Sequence, residues 1–199
     1  ALVIAPRSDI LFLNQTPQMR RYVNAEVGTS AYNNELSDLS RFFQIFLNRA
    51  GTRYRGICLL SPAGHEQLCI RRDIDVVEQV PDAMLTNRAD EEYFREALSV
   101  VSIPGEEPPV YITNTPFENH GFTIPDNDII RYSTLIQDDT GLISGVLVLE
   151  STLAMVTDTI LRDLAPEDIA YLIDVEALFI FDSSGTFDQS TLMQDLYPN

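Results

Sequence analysis

The fold is decided by three consecutive pieces of sequence: IIRYSTLIQ (residues 129–137), DDTG (138–141) and LISGVLVLE (142–150). The two outer pieces are rich in apolar and β-branched residues, whereas the four residues between them are of types that favour turns. Extended segments on both sides of a tight turn are typical of an antiparallel hairpin. We therefore predict paired strands over residues 129–137 and 142–150.

Three further segments have the composition of strands. Tyr54–Leu60 and Glu66–Asp73 lie on either side of Ser61–Gly64, which contains Pro and Gly and predicts a second hairpin turn. Val110–Thr113 is extended and follows a proline-rich loop. Five strands joined mainly by tight turns predict an antiparallel sheet of the α+β class.

Helical spacing of apolar residues marks the remaining long stretches. A bent lead-in helix is expected to begin near Ser8 and Asp9 and to be interrupted at Pro17. The other predicted helices cover residues 34–50, residues 91–100, and the stretch that begins at Ser151 and ends before Pro166. A last extended segment is predicted over residues 177–182.

Composition excludes several classes of partner. The formal net charge of −17 would repel nucleic acid, and every one of the 13 basic residues is an arginine. The arginine bias is either a matter of genomic base composition or a supply of planar groups that grip carboxylates at two points. No apolar run approaches the roughly 20 residues of a membrane-spanning helix.

Motifs that carry catalysis are missing from the sequence. There is no nucleophile elbow and no phosphate-binding loop, and the two histidines, His65 and His120, do not have metal-ligand spacing. We therefore expect a protein without catalytic activity, metal or cofactor. An acid-rich hydrolase is a remote alternative, because adjacent acids such as Asp138 and Asp139 usually serve a turn.

An ordered series of small motifs resembles the Cache (PDC-type) sensor domains of bacterial signal-transduction receptors. The resemblance spans roughly residues 9–161, and it depends on the order of these motifs more than on any one of them. They are Tyr54, Gly64-His65-Glu66, Tyr93-Phe94, Val110-Tyr111-Ile112, Pro125, Ile130-Arg131, Asp139-Thr140-Gly141 and Gly145.

The resemblance implies a fold and a function. The expected fold is a PAS-like antiparallel five-stranded sheet flanked by long N-terminal helices, with a ligand pocket on the opposite face beneath loops and a short helix. The implied domains are a membrane-distal sensor module over residues 1–152 and a connecting helix with an incomplete second module over residues 153–199. Occupancy of the pocket would displace the terminal helices.

The implied setting is the periplasmic, extracytoplasmic portion of an inner-membrane protein. The full-length protein would be membrane-anchored, would carry a cytoplasmic output domain such as a histidine kinase, and could form a homodimer. An alternative is a Cache-like interaction or dimerisation module that binds a periplasmic protein and has no small ligand.

Strand alternation and the resemblance together select the candidate ligand-binding residues. Alternation gives the fourth and fifth strands one more polar face, from which Arg131 could bind a ligand carboxylate. Alternatively, Arg131 pairs with a nearby acid such as Asp128, and the other arginines are solvated surface groups. The complete set is Arg71, Arg88, Tyr93, Tyr111, Thr113, Arg131 and Ser133.

Three positions depart from the family pattern. Relatives often carry arginines where this chain has Cys58, Cys69 and Glu92, so the ligand is expected to differ. The two cysteines lie on neighbouring predicted strands, and they can form a disulfide only if the hairpin register brings them together. The sequence leaves that register open.

Overall fold

The computed structural model describes residues 4–73, 76–99, 108–115, 129–152, 171–173 and 179–182. The chain divides into two compact units, Ala1–Leu153 and Ala154–Asn199. In the described part of the chain, no helix has both the length and the apolar character needed to cross a membrane.

Three helices open the first unit. They are α1 (Ile4–Asn14), α2 (Pro17–Val23) and α3 (Ser30–Ala50). Thr16 ends the first helix and caps the second, because its hydroxyl accepts a hydrogen bond from the Met19 amide and Pro17 occupies the first turn. The predicted interruption at Pro17 is confirmed.

The predicted starts of two helices are wrong. α1 already includes Ser8 and Asp9, and the Asp9 carboxylate accepts a hydrogen bond from the Tyr54 hydroxyl instead of capping the helix. α3 begins at Ser30, four residues before the predicted start, because the Thr29 hydroxyl caps it by accepting from the Tyr32 amide.

A six-stranded antiparallel sheet forms the centre of the first unit, in the order β3-β2-β1-β6-β5-β4. Its strands are β1 (Gly56–Leu60), β2 (Glu66–Asp73), β3 (Val76–Gln79), β4 (Val110–Thr115), β5 (Ile129–Gln137) and β6 (Ile143–Thr152). The predicted α+β antiparallel class is confirmed. The edge strand β3 was not predicted and raises the number of strands from five to six.

The N-terminal helices α1–α3, which form the helical layer, and a fourth helix pack on opposite faces of the sheet. Alternate residues of the central strands, among them Ile57, Leu59, Leu147 and Leu149, are buried, and α1 and α3 contact these strands. The opposite face packs against α4 (Glu92–Ser99), which supplies Tyr93, Phe94 and Ala97 to a core with Leu60, Leu135 and Val146. The described part of this unit also contains two 3-10 turns, Gly51–Arg53 and Asp82–Met84.

The end of β6 lies beyond its predicted limit. Ser151 and Thr152 pair with Ile130 and Ile129, so the helix expected to begin at Ser151 does not begin there. The rest of that predicted helix lies outside the described residues. In the second unit, β7 (Tyr171–Ile173) pairs with β8 (Phe179–Asp182), and β8 lies within the predicted segment 177–182.

A close backbone approach at Gly64 yields a prediction about stability. Gly64 has a φ of 82°, and a Cβ atom there would lie 2.6 Å from the backbone of Ala89. We expect Gly64→Ala to lower the free energy of unfolding by about 3 kcal/mol, from left-handed backbone strain plus overpacking. Urea denaturation measures the loss.

Gly28 provides a matched control for that substitution. Its φ is 85°, but nothing lies within 4 Å of a Cβ placed there. Gly28→Ala should therefore cost only the backbone strain, about 1 kcal/mol. Equal losses for the two variants would show that the contact between Gly64 and Ala89 does not constrain the fold.

Candidate functional site

Two neighbouring rows of residues lie on the α4 face of the sheet. The registers of β4, β5, β6, β1 and β2 place five residues side by side in each row. Because residues two apart along a strand point to the same face, both rows face α4. The charged row is Thr113, Arg131, Glu150, Gly56 and Arg71; the adjoining row is Tyr111, Ser133, Val148, Cys58 and Cys69.

Glu150 is the centre of the charged row. It is a charged residue on one of the two central strands, and its side chain is only 6% exposed. Arg131 Nε donates to Glu150 Oε1 at 3.1 Å, and Arg71 Nε lies 3.9 Å from Glu150 Oε2. The position opposite Glu150 on β1 is Gly56, where a Cβ would lie 3.2 Å from Glu150 Oε2. The missing side chain therefore leaves room for the carboxylate.

Three arginines keep Glu150 ionised. Burial by itself would raise the pKa of Glu150, but the guanidinium groups of Arg71, Arg131 and Arg55 outweigh burial and hold that pKa below its ordinary value. One carboxylate is thus surrounded by three cations. In a chain with a net charge of −17, this is a local concentration of arginines, whose charge is partly balanced by Glu66 beside Arg71 and by the charge of Asp73 on Arg55.

The α4 helix covers one end of the cluster. The guanidinium carbon of Arg131 lies 4.9 Å from the centre of the Tyr93 ring, a cation–π distance. Ser133 is fully buried and donates to the backbone carbonyl of Tyr93 at 3.0 Å. Burial raises the pKa of Tyr93, so its phenol stays neutral. These contacts fix α4 against β5.

Two polar residues of β4 border the cluster differently. The hydroxyl oxygen of Thr113 is buried beside Arg131 and has no hydrogen-bond partner among the described residues. A buried hydroxyl in that state is costly, which makes it a candidate contact for a ligand. Tyr111 is more exposed, and its hydroxyl donates to Glu92 at 3.0 Å. Tyr111 therefore lies at the margin of the site.

A second carboxylate, Glu66, organises the segment that precedes α4. Its side chain is 4% exposed and accepts hydrogen bonds from the Thr86 amide at 2.9 Å and from Arg88 Nε at 3.0 Å. Burial would lower the pKa of Arg88, but the charge of Glu66 reverses the effect and raises it. Arg71 also reaches Glu66, at 3.8 Å, and so lies between the two carboxylates.

Cys58 and Cys69 face each other in the adjoining row and form a disulfide. The register left open by the sequence is therefore the one that pairs them. The Glu66 carboxylate lies within 4.8 Å of the sulfurs. Because the sulfurs are bonded to each other, they are not thiolates, and this group does not offer metal ligands while the bond is intact.

All seven residues selected from the sequence lie on or beside this face, but in different settings. Arg71 and Arg131 meet at Glu150, Tyr93 and Ser133 connect Arg131 to α4, and Thr113 adjoins Arg131. Tyr111 is marginal, and Arg88 joins the others only through Glu66. Their role as ligand-binding residues stays a prediction.

Sequence reasoning missed Arg55 and the two buried acids, Glu66 and Glu150. Arg131 does pair with an acid, but the partner is Glu150, while Asp128 lies outside the described residues. One signal in the sequence could have identified Glu150, because it is a single charged residue at the end of the long apolar run 145–149. A buried charge on a central strand requires a partner of opposite charge.

This chain matches known proteins in its three-dimensional structure only. No family model and no curated protein match this chain. Solved structures do match, and the similarity extends over nearly the whole chain.

Three of these structures are sensory domains. A domain of a sensory box/GGDEF family protein from Vibrio parahaemolyticus has a TM-score of 0.68 and 19% identity, over 98% of this chain and 68% of that one. The extracellular domain of the histidine kinase vpHK1S-Z8 has a TM-score of 0.67 and 19% identity, over 98% and 64%. The ligand-binding domain of the Campylobacter jejuni chemoreceptor Tlp3, with L-valine, has a TM-score of 0.64 and 15% identity, over 96% and 69%.

The fold is therefore the one that these three domains share. The likeness confirms the Cache-type architecture that the sequence motifs implied. This chain spans about two thirds of the length of those structures.

Glu150 yields a prediction about pH. Glu150→Gln should lower the free energy of unfolding at pH 7 by about 3 kcal/mol, because the arginines lose a buried counter-charge. A carboxylate whose pKa is lower in the folded state stabilises the protein above its unfolded pKa, and this contribution is lost as the pH falls through the folded pKa. The difference between wild type and variant should therefore shrink below about pH 4. Urea denaturation across pH 3–7 measures it.

The control is Glu35→Gln, which removes a partly exposed partner of Arg21 on the helical layer. It should change stability by less than about 1 kcal/mol. If the effect of Glu150→Gln were equal or larger at acid pH, Glu150 would not be held ionised by the arginines.

Proposed function

We propose that this chain is the extracytoplasmic ligand-sensing domain of a membrane-anchored bacterial receptor, and that it binds a small carboxylate on its arginine-lined face. The observation that carries the proposal is the cluster of Arg55, Arg71 and Arg131 around the buried carboxylate of Glu150, with Arg71 partly exposed. Guanidinium groups bind carboxylates at two points, and their partial burial strengthens the attraction. No catalytic step is part of this function.

The comparisons support the same ligand class. Structures of similar fold contain L-valine in the Campylobacter jejuni chemoreceptor Tlp3 and GABA in the Pseudomonas aeruginosa chemoreceptor PctC. Both compounds carry a carboxylate. The residues around Glu150 provide cations for such a group, and Thr113 provides a hydroxyl for a second contact.

Signalling would follow from unequal binding to two arrangements of the domain. A ligand shifts such an equilibrium only by its difference in affinity for the two states. The N-terminal helices contact the sheet that carries the cluster, so a change in the sheet can reach them. Residues 153–199 would supply the connecting helix and the start of a second module, and the anchor, the output domain and a homodimer belong to the proposed full-length receptor.

The test is a thermal-shift screen of small carboxylates, including L-valine and GABA. A compound at one hundred times its dissociation constant should stabilise the native state by about 2.7 kcal/mol, which raises Tm by about 5–10 °C for a domain of this size. Arg71→Gln should remove at least half of that shift. Because Arg71 also helps to keep the buried Glu150 ionised, the variant should lower the unliganded Tm as well, so the ligand-induced shift is measured against each protein's own unliganded Tm.

Arg21→Gln is the matched control, since Arg21 forms an exposed ion pair with Glu35 on the helical layer. This variant should keep the full ligand-induced shift. If no carboxylate raises Tm, the small-ligand function is wrong, and the alternative of a module that binds a periplasmic protein or mediates dimerisation takes its place. An undiminished shift in Arg71→Gln would place the ligand elsewhere.

A further inference from the structure

Ion pairs connect the arginine cluster to the start of α4 in one continuous series. Each member of this series carries a charge opposite to that of its neighbours, and neighbouring charged groups lie 3.0–3.9 Å apart, at 3.1, 3.9, 3.8, 3.0 and 3.5 Å in the order given next. The series consists of Arg131, Glu150, Arg71, Glu66, Arg88 and Glu91. It runs from β5 through β6 and β2 to the residue that precedes α4.

Arg71 is the most exposed cation of this series. Its two ion pairs are the longest, and its side chain is 37% exposed, against 16% for Arg131 and 14% for Arg88. Solvent screening makes such pairs weak. Arg71 is therefore the cation of this series that is most accessible to an incoming anion.

Glu66, in contrast, is held in place. The Thr86 amide and hydroxyl donate to one carboxylate oxygen, and Arg88 donates to the other. The backbones of the two segments are also joined, since the amide of Glu66 donates to the carbonyl of Thr86 at 2.9 Å. Glu66 can therefore lose Arg71 as an ion-pair partner while its own carboxylate stays in place.

We propose that Glu66 competes with a bound anion for Arg71. Glu66 is then a positioning residue: when it loses Arg71, it changes the ion pairs of Arg88 and thereby affects the start of α4. When an anion engages Arg71, the charge of Glu66 is left to Arg88. Arg88 then pairs more closely with Glu66 and less with Glu91, whose carbonyl accepts the first hydrogen bonds of α4 from Phe94 and Arg95. The part of this inference that concerns anions rests on the proposed function.

The link through Glu66 is tested without any ligand. Arginine Nε–Hε signals in nitrogen-15 NMR report the surroundings of each guanidinium group. Arg71→Gln should shift the Arg88 signal in the wild-type background, because Glu66 then pairs with Arg88 alone. In the Glu66→Gln background the same substitution should leave Arg88 unchanged. In a Glu66→Asp background, which keeps the charge, the shift should return.

An equal shift of Arg88 in the wild-type and Glu66→Gln backgrounds would overturn the link. Glu66→Gln keeps an oxygen for Thr86, so the segment before α4 retains that hydrogen bond. If this variant nevertheless fails to fold, Arg88→Gln breaks the same link from the other side. The Glu66–Arg71 pair should then tighten and move the Arg71 signal, and an unmoved signal would contradict the link.

Competition for Arg71 is tested with sodium acetate as the probe, against sodium chloride at equal ionic strength. The Arg71 signal should move with acetate, and Glu66→Gln should bind acetate about two to five times more tightly, the factor that one partly exposed ion pair is worth. Unchanged affinity overturns the competition alone. The absence of any acetate response in either protein contradicts the proposed carboxylate site, while the ligand-free result still decides whether Glu66 connects Arg71 to Arg88.

Discussion

The structure of the first unit depends on one costly arrangement, the ionised carboxylate of Glu150 buried on a central strand. A buried carboxylate is stable only when cations and hydrogen bonds replace the lost water. Arg131 supplies the hydrogen bond, Arg71 and Arg55 supply further charge, and Gly56 supplies the space. This concentration of arginines is a feature of the α4 face in a strongly acidic chain.

The two faces of the sheet differ in polarity, and this difference suits one face to stabilising the fold and the other to binding. The helical face is apolar along the central strands, where Ile57, Leu59, Leu147 and Leu149 are fully buried, and it provides hydrophobic stabilisation. The α4 face combines an apolar part around Phe94 with the charged row. Arg71, whose ion pairs are long and partly exposed, can exchange partners, whereas close-packed apolar side chains cannot rearrange. This difference makes the α4 face the suitable one for binding and switching.

The sequence predicted most elements of the fold because local patterns determine them. Helical spacing located α3 and α4, and turn residues located both hairpins. The edge strand β3 was missed because its four residues are mostly exposed and alternate weakly. The start of α3 was misplaced because the pattern of apolar residues begins after the Thr29 cap.

The charged cluster was only partly predictable, because it depends on strand register. Ile136 lies opposite Gly145 but Gln137 lies opposite Ile143, so Ser144 is an extra residue in β6. Without this bulge the pairing would shift by one residue and place Leu149 opposite Arg131, which would move Glu150 to the helical face. Alternation along β4 and β5 could identify Arg131 and Thr113 as neighbours, but no local pattern revealed their partner on β6.

The central claim is that Arg71 and Arg131, although paired with Glu150, form a surface that takes up a further anion. Anomalous diffraction from a crystal soaked in sodium bromide tests this claim most directly, because bromide is located by its own signal and collects at accessible positive sites. The account predicts a bromide ion in contact with Arg71 or Arg131 beside Glu150. Bromide bound at arginines of the helical layer, such as Arg20 or Arg21, with none at the Glu150 cluster, would contradict it.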